Sequence, residues 1–234
     1  MYGKNSMNGN VVRFSDFSFT QCLLMLFLNS IQFFLALSVV LLFVYPWERG
    51  WIRCVSGIGC IYLFPPIAAR LIKMILPIKK KRIVVGSREY FTWWAMTNLQ
   101  IIFCRFPALE ELLRLIPGLY SHWLRLWGAE IGRLTYWSPG TKILDRHCLK
   151  IGNNVIFGAG VRLNGHVLVK SDDGNLELLL SPIIIGDNVI VGGYSLLTAG
   201  TEIADGECTR AMMSFPPFTR WENGRRVDNK SAKE

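Results

Sequence analysis

The chain has 234 residues, enough for one domain and a smaller appendage. Its residues are 51% hydrophobic and only 18% charged, and because soluble domains carry about 25% charged residues, part of the chain is expected in lipid. The net charge of +9 does not make a nucleic-acid partner: the clearest basic run is short and directly follows apolar sequence, the pattern found at the cytoplasmic end of a membrane span.

In chain order, the first element is Leu23 to Tyr45, "LLMLFLNSIQFFLALSVVLLFVY", which holds no charged residue. As a helix it runs roughly 33 Å, enough to cross a bilayer core. It is too long for a cleaved signal peptide, and no small-residue cleavage site follows. "PWERGWIR" comes next, a short polar turn whose Trp47 and Trp51 are of the type that anchors at bilayer surfaces. A second apolar stretch, Cys54 to Ala69, is 16 residues long and is interrupted by Pro65-Pro66. Arg70 and Lys73 extend it by snorkelling, so it reads as a second span, with a re-entrant or interfacial segment as the alternative. "KKKR" at 79–82 marks the cytoplasmic side, and two spans place both termini in the cytosol. The six cysteines (Cys22, Cys54, Cys60, Cys104, Cys148, Cys208) show neither CxxC pairs nor zinc-like spacing, and read as reduced thiols of a cytosol-facing protein. Residues 1–86 therefore form a membrane anchor with one or two transmembrane helices and a basic flank.

Residues 87–128 read as aromatic interfacial helices. "SREYFTWWAMTNLQIIFCRF" opens on Ser87 as an N-cap, "PALEELLRLI" places Pro107 and the Glu110-Glu111 pair in a first turn, and "SHWLRLWG" stops on Gly128. Six of the eight tryptophans fall between residues 47 and 127. That concentration favours a membrane-surface collar over helices that bury their rings against a second domain.

From residue 129 the period changes. Ile151, Phe157 and Leu163 recur every six residues, and so do Ile185, Val191, Leu197 and Ile203; an earlier phase steps through Ile131, Trp137, Ile143 and Leu149. Val155 and Val161 keep a companion inward position. Neither a helix nor an alternating strand has this period, whereas a parallel β-helix does: each six-residue unit is one wall, three units make a turn, and Gly or Asn takes the corners. "IGNN" and "IGDN" supply that corner chemistry twice. Leu163 and Ile185 lie 22 residues apart, which breaks the beat, so the segment between them leaves the coil and returns as a hairpin-like excursion turning at Asp172-Asp173-Gly174. Loops projecting from a rigid coil are where such scaffolds carry function, and His166 stands at the base of this one. The coil is assigned to 129–220 and a polar tail to 221–234, with the preceding helices and the residues after 206 capping its ends.

"IGNNVIFGAGVRLNGH", followed by the excursion and "IIIGDNVIVGGYSLLTAGTEIADG", resembles the left-handed parallel β-helix acyltransferases of the hexapeptide-repeat superfamily. "WLRLWGAEIG" and "LDRHCLKIGNN" narrow the likeness to its membrane-linked members, those of surface-polysaccharide acetyltransferases and of peptide-synthetase-associated hexapeptide domains. The resemblance covers roughly 121–220 and implies a mostly β fold: a short left-handed parallel β-helix preceded by transmembrane and interfacial α-helices. It also implies a general-base histidine near the excursion, which takes a proton from a hydroxyl or amine as that group attacks a thioester carbonyl. By position this is His166; an ordinary surface histidine at a turn is the alternative. His147 and Asp145, close to one coil turn earlier, are placed to orient it or to polarise the acceptor, and Asn164 is placed either to donate to the oxyanion or to fill a corner. His122, inside an aromatic helix, reads as a packed residue. Histidines 122, 147 and 166 offer no closely spaced pair, which argues against the zinc site of anhydrase-like relatives of the fold. Arg220, Arg225 and Arg226 either meet donor phosphates or belong to a solvated tail.

The expected function is thus a membrane-bound acyltransferase on the cytosolic face of the inner membrane. Acetyl-CoA or a longer acyl-CoA, or an acyl-carrier protein, is the thioester co-substrate, with no bound cofactor. The acceptor is lipid-linked or amphipathic, and family analogy suggests a homotrimer. The rival readings are a non-catalytic β-helix scaffold tethered to the membrane, and an enzyme acting on a soluble substrate whose anchor only localises it.

Overall fold

The structure, a computed structural model, describes residues 17–44, 49–171 and 174–227. Trp47, Asp172, Asp173 and the end of the polar tail lie outside the described residues.

Among the described residues, two stretches are long and apolar enough to cross a membrane, Phe19–Phe43 and Gly50–Ile75. The first is the helix α1 (Phe19–Val44); the second is split into α2 (Gly50–Tyr62) and α3 (Phe64–Ile75) at Leu63. The split falls where Pro65 and Pro66 begin α3, at positions whose N–H groups have no intrahelical partner. Pro66 would otherwise bond to the carbonyl of Tyr62, and the Trp123 indole N–H donates to that carbonyl instead, at 2.9 Å. α1 packs on α2 and on α4 (Arg88–Arg105). Two polar pairs fix the second contact: Trp94 Nε1 to Asn29 Oδ1 at 3.0 Å and Gln32 Nε2 to Asn98 Oδ1 at 3.5 Å.

Ser87 caps α4, its side chain accepting from the Tyr90 N–H. α5 (Ala108–Arg114) starts after Pro107, and α6 (Leu119–Leu126) ends at Gly128, whose φ of +91° is the left-handed stop that glycine takes without strain. The tryptophans of these helices do not form a surface collar. Trp123 and Trp127 are buried against the coil, because α4 and α6 cover its first turn, and Trp93 is buried in a separate cluster with Ile83, Cys148, Leu178 and Leu180; Trp51 is exposed. The exposed apolar edge of this region is carried by Leu112, Leu115 and Ile116 of α5 and the segment after it.

The coil has three walls of short parallel strands. One wall stacks β2 (Glu130–Ile131), β5 (Leu149–Ile151), β10 (Ile183–Ile185), β13 (Glu202–Ile203) and β15 (Arg220–Glu222), aligning Ile131, Ile151, Ile185, Ile203 and Trp221. The second stacks β3 (Tyr136–Trp137), β6 (Ile156–Phe157) and β11 (Ile190–Val191). The third stacks β4 (Lys142–Ile143), β7 (Arg162–Leu163), β12 (Leu196–Leu197) and β14 (Ser214–Phe215). Ile203 pairs with Trp221, 18 residues on, the length of a regular turn. The aligned aliphatic residues are buried, Phe157, Leu163, Val191 and Leu197 completely, and each such side chain stabilises the coil by about 1.5–3 kcal/mol. Trp137 lies flat on Phe157, with ring centroids 4.6 Å apart.

The corners divide the chemistry of "IGNN" and "IGDN" between two residues. Asn154 and Asn188 take the left-handed conformation, with φ of +55° and +57°. Gly152 is needed for space: a Cβ there would strike Asp187 and the backbone of Gly186 in the next turn.

Two excursions break the coil. Ile131 pairs with Ile151, 20 residues on, so the first turn holds two extra residues, accommodated in the turn 144–148. Ile151 pairs with Ile185, 34 residues on, and the surplus is the hairpin β8 (His166–Lys170) and β9 (Leu176–Leu180). β1 (Arg82–Val84), immediately after the three lysines, adds to β9 as a third antiparallel strand and ties the N-terminal helices to the hairpin. Wall pairing also continues past residue 220: β15 belongs to the coil, and β16 (Arg225–Val227) folds back on it antiparallel.

Candidate active site

The short turn "LDRHC" between β4 and β5 carries Asp145, Arg146 and His147. Asp145 is fully buried, and its Oδ2 lies 2.6 Å from Nδ1 of His166 at the start of β8. Its second oxygen accepts from the Trp93 indole N–H at 3.1 Å. The Trp93 ring meets the His166 ring edge-on, with centroids 4.7 Å apart. An ionised carboxylate only accepts, so the His166 Nδ1 carries the proton and Nε2 keeps its lone pair. The side chain of His166 is 21% exposed, open to a reactant where Asp145 is sealed.

The electrostatics follow from this contact. Burial alone would raise the Asp145 pKa, but the charge and hydrogen bond of His166, aided by His147 and by the Trp93 N–H, outweigh it and hold the carboxyl below its ordinary range. Burial disfavours the His166 imidazolium, yet the Asp145 charge and hydrogen bond prevail and raise its pKa. The pair is therefore a basic imidazole aligned by a buried anion, the arrangement suited to abstracting a proton near neutral pH.

What holds Asp145 in place is the next residue. Arg146 is completely buried; its guanidinium donates to Glu110 Oε1 at 2.6 and 2.8 Å, and its backbone N–H to Gln100 Oε1 at 2.8 Å. The rings of Phe103, Trp123 and Trp127 surround it at 5.3–5.7 Å. Arg114 completes the cluster on Glu110 and Glu111. The turn is thereby bolted to α4, α5 and α6, and Trp93, Arg146, Glu110 and Gln100 are positioning residues that the sequence does not announce. The signal it does carry is the two-residue slip of the beat between Ile143 and Ile151, which marks a turn that departs from the repeat.

The other candidate residues separate, with His147 making no hydrogen bond to His166 or Asp145 among the described residues and bordering a different cavity. Burial first, and then the charges of Lys73 and His166, outweigh Asp145 and lower its pKa to about 4. Asn164 follows β7 directly; its backbone N–H donates to the Leu197 carbonyl, it is half-buried, and unlike Asn154 and Asn188 it does not take the left-handed corner conformation. His122 bonds through Nδ1 to the Gly118 carbonyl at 2.8 Å and lines a cavity of about 880 Å³ that the dyad does not share. Arg220 is held by Glu202 and Glu222 at 3.7 and 3.1 Å, while Arg225 and Arg226 are exposed. Burial pushes the Cys148 thiol up, which leaves it inert beside the dyad.

No protein-family model matches the chain. Over 77 residues it is 34% identical to galactoside O-acetyltransferase of Escherichia coli (strain K12), a match covering 32% of this chain. The chain spans 38% of the length of that curated relative. Among solved structures, a hexapeptide-repeat-containing acetyltransferase from Vibrio cholerae, complexed with acetyl coenzyme A, matches at 16% identity and a TM-score of 0.39, over 56% of this chain and 88% of that one. Galactoside acetyltransferase in complex with coenzyme A matches at 16% identity and a TM-score of 0.31, over 52% and 79%. Over its matched 77 residues this chain is thus similar in sequence to an O-acetyltransferase.

Proposed function

We propose that the protein is a membrane-bound acyltransferase with His166 as general base. The observation that carries this reading is the 2.6 Å contact between His166 Nδ1 and the buried Asp145 carboxylate. His166 Nε2 takes the proton of an acceptor hydroxyl or amine while that oxygen or nitrogen attacks the carbonyl carbon of an acyl-CoA thioester. The tetrahedral intermediate collapses, the C–S bond breaks, and the imidazolium returns the proton to the departing thiolate. The Asn164 amide, two residues from the base, donates to the developing oxyanion. A positioned base of this kind contributes roughly 10²–10⁴ in rate. The coil winds left-handed, as the family resemblance implies. The anchor of residues 1–86 holds the site at the cytosolic face of the membrane, where the acceptor is a lipid-linked or amphipathic molecule.

The test is mass spectrometry of total lipids and surface glycans from cells expressing the parent chain or His166→Ala. An acyl mass increment present only with the parent identifies the acyl group and the acceptor class together. Equal profiles at equal protein levels would remove the catalytic reading and leave a membrane-tethered scaffold.

A further inference from the structure

Where the anchor meets the coil there is a second cavity, of about 280 Å³, and four of its eleven lining residues are lysines. Lys73 enters from the last turn of α3, and Lys79, Lys80 and Lys81 from the linker before β1. Its other walls are Met96 of α4, His147 and Cys148 of the "LDRHC" turn, and Leu180, Ser181 and Pro182. No carboxylate lines it among the described residues. Lys73, Lys79 and Lys80 alone bring three cationic side chains from two elements to the border of one space, a lining that attracts an anion. The His147 side chain, on a residue that is 7% exposed, has a buried Nδ1 without a hydrogen-bond partner. Such an orphaned group is costly, and a ligand oxygen or its bridging water would satisfy it.

The location decides what kind of anion fits. The cavity opens at the end of the second apolar stretch, the depth at which lipid phosphates lie. It also adjoins the dyad: His147 is two residues from Asp145, and Leu180 is the cross-strand partner of His166. Met96 on the cavity and Trp93 on the dyad are one turn apart on α4. We infer that this cavity binds the phosphate or diphosphate of the acceptor, a lipid whose polar group then extends towards His166. This rests on the acyltransferase reading and specifies its substrate: an acceptor joined to its lipid tail through a phosphate ester.

The coenzyme A donor also carries phosphates, and calorimetric titration of the detergent-solubilised full chain distinguishes the two sources. Dodecyl phosphate and coenzyme A are the probes, and Lys79→Gln/Lys80→Gln is the variant, both positions being exposed. Removing two near-surface charges should weaken dodecyl phosphate roughly 10- to 30-fold and leave coenzyme A unaltered. Arg225→Gln/Arg226→Gln, which removes equal charge elsewhere on the coil, should leave dodecyl phosphate binding as in the parent. Equal dodecyl phosphate affinity in the parent and the lysine variant overturns the inference. So does a loss confined to coenzyme A, which would assign the cavity to the donor, or an equal loss in the arginine variant, which would reduce the effect to net charge. His166→Ala should bind dodecyl phosphate as the parent does; if its turnover also survives, the acyltransferase reading fails while the phosphate site stands.

Discussion

Asp145→Asn tests the dyad with almost no change of shape. The asparagine oxygen can still accept from the Trp93 indole, now at 3.1 Å from Asp145 Oδ1, but the second position becomes an NH₂ donor facing His166 Nδ1. The favoured tautomer of His166 then reverses: Nδ1 must accept, and the proton moves to Nε2, the nitrogen that has to receive the acceptor's proton. Losing most of a general base's contribution lowers turnover by roughly 10²–10⁴, or about 3–5 kcal/mol of transition-state stabilisation. The pH profile carries a second signature. In the parent, burial works against the imidazolium but the Asp145 charge prevails and raises the His166 pKa, so activity is lost as pH falls through that raised value. Without the charge, burial dominates, and the acid limb of the residual activity moves to lower pH. The assay is release of free CoA thiol from acetyl-CoA by membranes of expressing cells, the source of acceptor under the proposed function. Turnover within threefold of the parent, or an acid limb that does not move, would refute the assignment of Asp145.

Two further outcomes test the supports of the site. Glu110→Gln leaves the buried guanidiniums of Arg146 and Arg114 without their shared anion, and should destabilise the chain by about 3–5 kcal/mol, read as a fall in the thermal unfolding midpoint; an unchanged midpoint would mean that the cluster is not what fixes the turn. His147, with its pKa lowered from 6.5 to about 4, stays neutral in the folded chain at pH values where the unfolded chain binds a proton. Its contribution is therefore lost as pH falls from about 6.5 towards 4 and is constant above, up to about 3 kcal/mol in size. His147→Gln should flatten that part of the stability profile. His166 works in the opposite sense, stabilising below its unfolded pKa and ceasing to do so as pH rises through its raised folded value. Comparison of the parent with His147→Gln isolates the first effect.

The architecture of the coil is legible in the sequence because its walls are local: Ile185, Val191, Leu197 and Ile203 repeat every six residues, and the strands they form pair with equivalents one turn away. The excursion before Ile185 is legible for the same reason, as a break in phase. The tryptophans mislead because composition reports that a ring is sequestered from water and not what sequesters it. Trp123 and Trp127 are covered by the coil and Trp93 by the hairpin and Cys148, which a membrane interface would resemble in sequence. β1 is invisible because three residues after a basic run have no periodicity, and only the edge of β9 makes them a strand. Of the site, type and spacing single out His166 and place Asp145 and His147 about one turn earlier to orient it, but do not tell which of the two makes the contact. Asp145 meets His166 across 21 residues because of the two extra residues in the first turn, a three-dimensional consequence that an 18-residue period would place differently.

The pairings of α4 bear on whether residues 1–86 only localise the site or help to build it. One side of this helix serves the site: Trp93 holds Asp145, Met96 lines the basic cavity, and Gln100 holds the turn through Arg146. Trp94 and Asn98, on the side turned to the anchor, bond to Asn29 and Gln32 of α1. β1 in turn covers the edge of β9, whose partner strand begins with His166. Removing residues 1–86 therefore strips α1 from α4 and leaves β9 an open edge, exposing apolar surface and unpaired backbone beside the dyad. A chain of residues 87–234 should lose turnover towards any acceptor and aggregate on extraction, with the hairpin amides losing hydrogen-exchange protection. A soluble truncated chain with parental turnover would show that α1 and β1 are a tether, and that the site is built by the coil and α4 to α6 alone.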